Sequence, residues 1–366
     1  MTESQSRRRF PANGAVEAGR RLRLARLTAG MTQSQLADVC HVSRQAVAGA
    51  ESGSWSPSLG VALQLARALG TSVDQLFAEE KEPRLAPATP LGPELPLARA
   101  RLSLVWDRWV ALPLMGDGAL TAGFIAASGR MVGLEKAEIW GSGRNLVVAG
   151  CDPALPLLAG PVAAARDGWT VEWWACSSGE ALRLLDAGLV HAAAVHRPAD
   201  TASAPGGQKS SARIGFASWR EGVVLPTPGA TGNPQSLEEV VGSEFRWVNR
   251  ELGSEARSLL DRELSRLGVV GSGLPGYASQ TGGHLQVASA VASGLAEAGV
   301  ASEPAALAYG LDFLPLSEEE CVLHVDRGRL DTPELRLLLA ALAGPSLRRE
   351  LAALPGYETS ILGQEI

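Results

Sequence analysis

The stretch TVEWWACSSGEALRLLDAGLVHAAAVH (170–196) decides the fold of the larger part of this chain. TVEWWA predicts a strand, SSGEALRLLDAG predicts an amphipathic helix, and LVHAAAV predicts a second buried strand. This alternation of strand and helix is typical of a parallel sheet. Ligands of such sheets bind beyond the carboxyl ends of the strands, which is where Cys176 and the two following serines lie.

The first residues of the predicted helix form a candidate anion site. The first N–H groups of a helix have no internal partner, and the helix dipole makes that end partly positive. Ser177, Ser178 and Gly179 are therefore predicted to hold an anion, with Gly179 allowing close approach to the backbone. The alternative is that Ser177 only caps its own helix.

Composition and cysteine spacing limit the class of protein. With 46% hydrophobic and 20% charged residues among 366, the chain is typical of a globular protein of two or three domains. It has no apolar run long enough for a membrane helix, and MTESQSRRRF (1–10) lacks the apolar core of a signal peptide. We therefore expect a cytoplasmic protein with no membrane partner. Four widely spaced cysteines without a CxxC pair argue against a zinc ribbon and against a secreted disulfide framework.

Charge is unevenly distributed along the chain. Residues 1–75 contain nine arginines against five acidic residues, a balance of +4, so the remainder carries −10 of the total of −6. This asymmetry indicates that the N-terminal part meets a polyanion.

Residues 15–79 predict five short helices. Thr32 to Gln35 and Ser72 to Gln75 have the pattern of capping boxes, Ser43 is a predicted N-cap, and Gly30 ends the first helix. The run from Met31 to Phe77 closely resembles the Xre/Cro/phage-repressor type of helix-turn-helix. That resemblance implies that the third helix enters the major groove of double-stranded operator DNA. It also implies base contacts by Ser43, Arg44, Gln45 and Gly49, and phosphate contacts by Gln33 and Gln35.

The chain between the helices and the strand–helix alternation predicts no chemistry. Residues 80–98 hold five prolines and are predicted to be an extended linker. Residues 99–143 show short alternating runs with glycine turns, which predict antiparallel strands. Residues 1–14 are a predicted flexible arm, and 144–366 are the predicted ligand-binding domain.

The C-terminal part resembles the type II periplasmic-binding-protein fold, and within it the molybdate-binding-related branch. The resemblance rests on GCDPALPLLA (150–159), SSGEALRLLDAGLVHAAAVH (177–196), NRELGSEARSLLDREL (249–264), HLQVASAVASGLAEAGVA (284–301) and YGLDFLPLSEEE (309–320). It implies several helix N-termini converging on one cleft that holds an oxyanion such as molybdate or tungstate. The predicted ligand-binding residues are Asp152, Ser177, Ser178, Gly179, Arg250, Ser254, Glu255, Arg257, Thr281 and His284.

Three of these residues have alternatives. Relatives usually carry glycine where this chain has Glu255, and a carboxylate beside a dianion is unfavourable. Arg257 has the i,i+4 spacing to pair with Asp261 instead, and His284 has a structural role as its alternative.

The fold class predicted is therefore multidomain: an all-α five-helix helix-turn-helix domain followed by a two-lobed α/β periplasmic-binding-protein-like domain. We expect a one-component, homodimeric transcription regulator that binds operator DNA and senses a small anion, with no cofactor and no catalytic constellation. A small organic anion is an alternative ligand. The other alternative is a redox or soft-metal sensor using Cys151 and Cys176, which end neighbouring predicted strands. His191 and His196, five apart in a predicted strand, face opposite sides and do not easily share a metal.

Overall fold

The computed structural model describes residues 12–77, 84–95, 98–115, 128–140, 143–166, 168–199, 211–227 and 234–366. The chain divides into two units, Met1–Pro83 and Arg84–Ile366. Most of the predicted arm, residues 1–11, lies outside the described residues, and residues 12–14 belong to the first helix. Within the described ranges, no helix is long and apolar enough to cross a bilayer.

Five helices form the first unit, and their start signals act as the sequence predicts. The Thr32 hydroxyl accepts from Gln35 N while the Gln35 side chain accepts from Thr32 N, and Ser72 and Gln75 make the same reciprocal pair. Ser43 accepts from Ala46 N at 3.0 Å as the N-cap of the third helix. The helices are α1 (Ala12–Thr28), α2 (Gln33–Val39), α3 (Arg44–Glu51), α4 (Leu59–Ala68) and α5 (Val73–Phe77).

A buried ion pair ties α1, α2 and α3 together. Arg26 Nε donates to Glu51 Oε1 at 2.5 Å and its Nη2 donates to Oε2 at 3.1 Å, while Gln33 Nε2 donates to Oε2 at 2.8 Å. Both charged side chains are buried, at 8% and 4% exposure. Burial raises the pKa of Glu51, but the hydrogen bonds of Arg26 and Gln33 outweigh it and leave that pKa below its ordinary value. The pair lies beside an apolar core that includes Leu22, Leu36, Ala37, Val47, Ala50, Leu65 and Leu76.

A six-stranded sheet opens the second unit. Its strands are β1 (Arg84–Pro87), β2 (Thr89–Pro90), β3 (Arg99–Val105), β4 (Arg108–Pro113), β5 (Gly129–Met131) and β6 (Lys136–Ile139), in the order β1-β6-β5-β3-β4-β2. Strands β3 to β6 occupy the segment predicted as β-rich, and their pairs are antiparallel.

Part of residues 80–98, predicted to be an extended linker, forms strands instead. Residues 84–90 supply β1 and β2, which are the two edge strands of the six-stranded sheet. Proline lacks the N–H that a central strand must donate, but an edge strand needs only one hydrogen-bonded side. A proline-rich segment therefore pairs at both edges, and the second unit begins at Arg84.

An eight-stranded sheet forms the rest of the second unit. Its strands are β7 (Asn145–Gly150), β8 (Thr170–Ala175), β9 (Ala192–Pro198), β10 (Ser211–Leu225), β11 (Trp247–Arg250), β12 (Gln280–Thr281), β13 (Ala298–Ser302) and β14 (Asp312–Asp326). The order is β12-β11-β13-β10-β14-β9-β7-β8. The pairs β7–β8, β7–β9, β11–β12 and β11–β13 are parallel, as the alternation of strand and helix predicts.

Two long antiparallel strands join the two parallel groups. β10 and β14 pair along 15 residues each, although the sequence suggests two shorter strands in place of each. Their register shifts between Gly215 and Ala217 and again between Glu221 and Gly222. At Gly222 a Cβ atom would lie 2.1 Å from Leu314 O, so only glycine allows the strands to approach at this bulge.

Helices cover both parallel groups and define two lobes. The first lobe contains β7–β9 with α6 (Ala159–Ala165), α7 (Ser178–Asp186), α12 (Pro333–Ala343) and α13 (Pro345–Ala352). The second contains β11–β13 with α8 (Leu237–Gly242), α9 (Glu255–Arg266), α10 (His284–Ala292) and α11 (Glu303–Ala308). The carboxyl ends of β7, β8 and β11 face the cleft between these lobes.

We expect Glu51→Ala to destabilise the first unit by about 3 kcal/mol, because it leaves the buried Arg26 charge unpaired. Hydrogen–deuterium exchange of the full chain measures this loss of stability, because peptides from α1 to α5 should exchange faster in the variant than in the wild type. Glu17→Ala is the control, because it removes a carboxylate from the exposed pair with Arg20 and should change exchange little. Equal effects of the two substitutions would contradict the structural role of the Arg26–Glu51 pair.

Candidate functional site

A cleft of about 310 Å³ lies between the two lobes at the carboxyl ends of parallel strands. Its position matches the sequence-based expectation for a sheet of this kind. Four segments line it: the residues after β7, the end of β8, the end of β11 and the start of α10. The lining residues are Cys151, Pro153, Trp173, Ala175, Cys176, Arg250, Glu251, Gly282, Gly283, His284, Leu285 and Gln286.

Arg250 is the cation of the cleft. It ends β11 and is 1% exposed, although it is among the largest side chains in the protein. Its Nε and Nη2 donate to the two carboxylate oxygens of Glu251 at 2.8 and 2.9 Å. The third nitrogen, Nη1, makes no hydrogen bond with the described residues. A buried guanidinium N–H without an acceptor is able to donate a hydrogen bond to a negatively charged group.

The start of α10 contributes backbone donors to the same cleft. Gly283 is its N-cap with φ +81°, and no side chain caps the helix. A positive φ favours glycine. Because glycine has no side chain, the N-cap residue offers no acceptor to the first N–H groups of α10. The cleft therefore combines the guanidinium of Arg250 with an uncapped helix N-terminus.

His284 is buried in its neutral form. Its Nδ1 accepts a hydrogen bond from Ser302 N at 3.2 Å, which assigns the proton of the neutral imidazole to Nε2. Nε2 has no partner among the described residues. Burial, the charge of Arg250 and His196 together hold the pKa of His284 well below its ordinary value.

Cys151 lines the cleft, and His196 is buried against its thiol. The Cys151 thiol lies 3.3 Å from Nε2 of His196, and the His196 ring stacks on that of His284 with centroids 5.3 Å apart. The His196 and Trp219 rings make a T-shaped contact with centroids 4.6 Å apart. Burial raises the pKa of Cys151 to about 12 and lowers that of His196 to about 3, so both are neutral at pH 7.

Two carboxyl groups are buried below the same cluster. Glu221 Oε2 accepts from Trp219 Nε1 at 3.0 Å, and Oε1 lies 3.4 Å from His284 Nδ1 without a hydrogen-bond partner. Burial and the neighbouring Glu319 raise the pKa of Glu221 to about 8. Asp152 Oδ1 accepts from Ala154 N and from the Tyr357 hydroxyl, each at 2.7 Å, and burial raises its pKa to about 6.

The serines at the start of α7 have structural partners. Ser177 accepts from Glu180 N as the N-cap, and the hydroxyl of the buried Ser178 accepts from His196 N at 3.2 Å. Gly179 is exposed, and a Cβ there would lie 3.8 Å from Gly253 O, so the starts of α7 and α9 face each other across the lobes. The capping alternative for Ser177 is therefore present in the structure, and an anion at this point stays a prediction.

The other predicted ligand residues are held by their own elements. Ser254 donates to Glu251 O and accepts from Arg257 N. Arg257 donates to Asp261 and lies over the Tyr277 ring, as its alternative i,i+4 pairing predicts. Glu255 is half-buried in the first turn of α9, where burial raises its pKa. Thr281 belongs to β12 opposite Arg250, and the helix that was expected to begin near it starts three residues later at His284.

Cys151 and Cys176 both line the cleft as free thiols. They follow Gly150 and Ala175, which pair in the parallel ladder of β7 and β8. Burial also raises the pKa of Cys176 to about 12, so neither thiol has the thiolate character of a reactive cysteine. The Cys151 thiol contacts the His196 imidazole, and the nearby Arg250 guanidinium lowers its pKa by less than burial raises it.

Sequence reasoning missed His196, Trp219 and Glu221. From the sequence, His196 is considered only as a metal-binding partner of His191. In the structure His191 lies elsewhere, beside Trp106, and its Nδ1 accepts a hydrogen bond from Val147 N. Trp219 ends the first of two short predicted strands, and Glu221 lies between them. The sequence signal that could have found them is the charged residue Glu221 next to the apolar run GVVL in SWREGVVL (218–225). This signal does not show which residue Glu221 contacts.

In the first unit, the predicted DNA-contacting residues surround the start of α3. Ser43, Arg44 and Gln45 are exposed there. Gln35 is exposed at the start of α2, whereas the side-chain amide of Gln33 is hydrogen-bonded to Glu51. Gly49 is packed against Trp55, since a Cβ at this position would lie 3.1 Å from Trp55 Cβ. This surface is available to a major groove, while base contacts remain predictions.

Comparison with known proteins identifies both domains. A helix-turn-helix domain matches residues 17–78, and the PBP superfamily domain matches residues 159–343, half of the chain. An uncharacterized protein of Bacillus subtilis (strain 168), YvgK, is 34% identical over 138 residues, which are 37% of this chain and 44% of that protein. An uncharacterized protein in the ferredoxin 2Fe-2S gene 5′ region of Clostridium pasteurianum is 32% identical over 107 residues, 29% of this chain and 95% of that protein. The chain thus spans less than half the length of the Bacillus relative.

The similarity to solved structures is more distant. The regulatory domain of MetR, a LysR family regulator from N. meningitidis, is 13% identical with a TM-score of 0.43 and covers 61% of this chain and 98% of its own. A phosphate transport receptor from Vibrio cholerae is 14% identical with a TM-score of 0.42, covering 58% and 98%. Neither similarity bears on the ligand of this chain.

The predicted combination of a helix-turn-helix domain with a periplasmic-binding-protein-like α/β domain is confirmed. This architecture fits a ligand-sensing transcription regulator. The chain belongs to the PBP superfamily, and it carries a helix-turn-helix domain ahead of the superfamily domain.

Proposed function

We propose that the protein is a cytoplasmic, homodimeric one-component transcription regulator of the Xre type. Its first unit binds operator DNA through the start of α3, and the cleft of its second unit binds a small anion. We assign it no catalytic role and no cofactor.

The observation that carries the ligand proposal is Arg250. Its guanidinium is 1% exposed and retains a free N–H at Nη1, beside the uncapped N-terminus of α10. Both groups favour negative charge, and in a buried cleft their attraction is screened less than at the surface. The Glu251 carboxylate neutralises the charge of Arg250, so the ion pair is nearly neutral overall. We therefore expect the ligand to bring one negative group to the pair.

Two classes of anion are candidates for the cleft. The resemblance to molybdate-binding proteins favours a tetrahedral oxyanion such as molybdate or tungstate. The volume of about 310 Å³ and the walls formed by Trp173 and Leu285 support a small organic anion as the second candidate, because pockets of this size bury small organic ligands. Both classes use the same anchor at Arg250.

Regulation requires that the ligand bind one arrangement of the lobes more tightly than another. The cleft takes its lining from both lobes, with Cys151 and Trp173 on the first and Arg250 and His284 on the second. A ligand that touches both sides therefore favours the closed arrangement. β10 and β14 run through both lobes, so we propose that closure changes their bend at the two bulges.

Replacing Arg44 and Gln45 with alanine should weaken specific operator binding by about 1–3 kcal/mol for each bidentate base contact that is lost. Footprinting and gel-shift titration on the promoter of the protein's own gene, at fixed salt concentration, measure the effect. Arg336→Ala is the control, since it removes an exposed arginine in the second unit. If the double variant protects the same sequence with unchanged affinity, these residues do not read the operator.

Arg250→Gln should weaken anion binding at least tenfold, because a hydrogen bond to a charged group contributes about 1.5–3 kcal/mol. Calorimetric titration of the full chain with molybdate, tungstate and short mono- and dicarboxylates measures the affinity and separates the two ligand classes. Arg246→Gln is the matched control, because this exposed arginine immediately precedes β11 and pairs with Glu297. A folded wild type that gives no heat with any of these anions would exclude the anion class.

A further inference from the structure

At the cleft, three side chains of metal-ligand type meet. The thiol of Cys151 and the imidazoles of His196 and His284 place their ligand atoms within 4.8 Å of one another, and all three residues are buried. We propose that Cys151, His196 and His284 bind a thiophilic metal ion, Zn²⁺ or Cu⁺. This site differs from the proposed anion site, although both use residues that line the cleft, and it differs from the Cys151–Cys176 alternative that the sequence offers.

The three residues come from both lobes. Cys151 follows β7 and His196 lies in β9 of the first lobe, while His284 begins α10 of the second. The stacked rings of His196 and His284 are thus a contact across the lobes, with centroids 5.3 Å apart and planes 16° from parallel. An ion held by all three residues would link the lobes, as a cleft ligand does.

The spacing is close to what such an ion needs. With Zn–S of about 2.3 Å and Zn–N of about 2.0 Å in tetrahedral geometry, neighbouring ligand atoms lie about 3.5 Å apart. Cys151 Sγ and His196 Nε2 are 3.3 Å apart, and the full set lies within 4.8 Å. Closing the set around an ion requires a shift of about 1 Å and a rotation of the nearly parallel imidazole rings, so that their in-plane lone pairs converge. One thiolate and two imidazoles form a donor set that suits Zn²⁺ and Cu⁺, and they leave a coordination position open.

His284 has a carboxyl group, that of Glu221, in place to orient it. Its Nε2 is buried without a partner, and Glu221 Oε1, also without a hydrogen-bond partner, lies 3.4 Å from Nδ1. When Nε2 binds the ion, the ring proton moves to Nδ1 and donates to Glu221 in place of the hydrogen bond from Ser302 N. The Cys151 thiol loses its proton to solvent as the metal–sulfur bond forms.

The charges around the cluster allow a cation. Arg250 opposes it, but the Glu251 carboxylate holds that guanidinium through two hydrogen bonds. The carboxyl groups of Asp152 and Glu221 are buried close to the same cluster. Because Cys151 and His284 line the cleft, the ion has an entry path from solvent.

Co²⁺ is the probe that reports both the metal and the sulfur. The reduced, chelator-treated full chain should bind one Co²⁺ with a thiolate charge-transfer band, and Zn²⁺ should displace the Co²⁺. Competition with a chromophoric chelator gives the Zn²⁺ affinity, and titration with a Cu⁺-specific chelator separates Cu⁺ from Zn²⁺. Thermal shift at the same metal concentrations should show stabilisation of the folded chain.

The variants identify the ligands. Cys151→Ser should abolish the charge-transfer band, whereas Cys176→Ser, which alters the other thiol lining the cleft, should retain it with unchanged affinity. His284→Asn should remove tight binding, and Glu221→Gln should weaken it by about 10- to 100-fold. Near-ultraviolet circular dichroism of each metal-free variant establishes that it is folded.

Three results would overturn the site. One is a folded wild type that shows no cobalt–thiolate band and no tight Zn²⁺ or Cu⁺ binding. Another is a band that persists in Cys151→Ser, and the third is a band lost in Cys176→Ser. Anion calorimetry on the metal-free protein gives a separate result, so failure of the metal site and failure of the proposed anion ligand are distinguishable.

Discussion

The antiparallel pairing of β10 with β14 is the constraint on which the second unit depends. Each strand contributes 15 residues, and together they stand between the two groups of parallel strands in a single sheet. Their bulge between Glu221 and Gly222 lies at the base of the cleft, where Gly222 has no room for a side chain. The same pair therefore joins the lobes and places Trp219 and Glu221 beneath the candidate site.

Burying the polar groups at the cleft is energetically unfavourable. Asp152 Oδ2, Glu221 Oε1, Arg250 Nη1 and His284 Nε2 are all buried without hydrogen-bond partners among the described residues. Each such group costs about 1–3 kcal/mol, more when charged, and His191 and His324 elsewhere in the second unit each have one further buried atom of this kind. Concentrating this cost at one place is typical of a binding site, because a ligand that satisfies these groups recovers the free energy on binding.

The site offers two kinds of charge complement at different depths. At the cleft wall, Arg250 and the first N–H groups of α10 favour an anion. The thiol and imidazoles of Cys151, His196 and His284 have lone pairs for the proposed cation, and Glu221 and Asp152 are buried near them. Both proposed sites use His284, so we expect the binding of one ligand to change the affinity for the other.

The sequence by itself determined the local structure and the class of each domain. Capping boxes, the N-cap serine of α3 and the alternation of strand and helix predict elements from neighbouring residues, because helix starts and strand periodicity are short-range effects. It also located Arg250 at the end of a strand and His284 at the start of a helix.

Only the tertiary structure decided which residues Arg250 and His284 contact. Edge pairing turned the proline-rich segment 84–90 into strands, and the β10–β14 pair brought Glu221 to His284 across 63 positions of sequence. The contacts of Cys151 with His196 and of Asp152 with Tyr357 span 45 and 205 positions of sequence. Such contacts depend on strand order and register, which a single sequence does not specify.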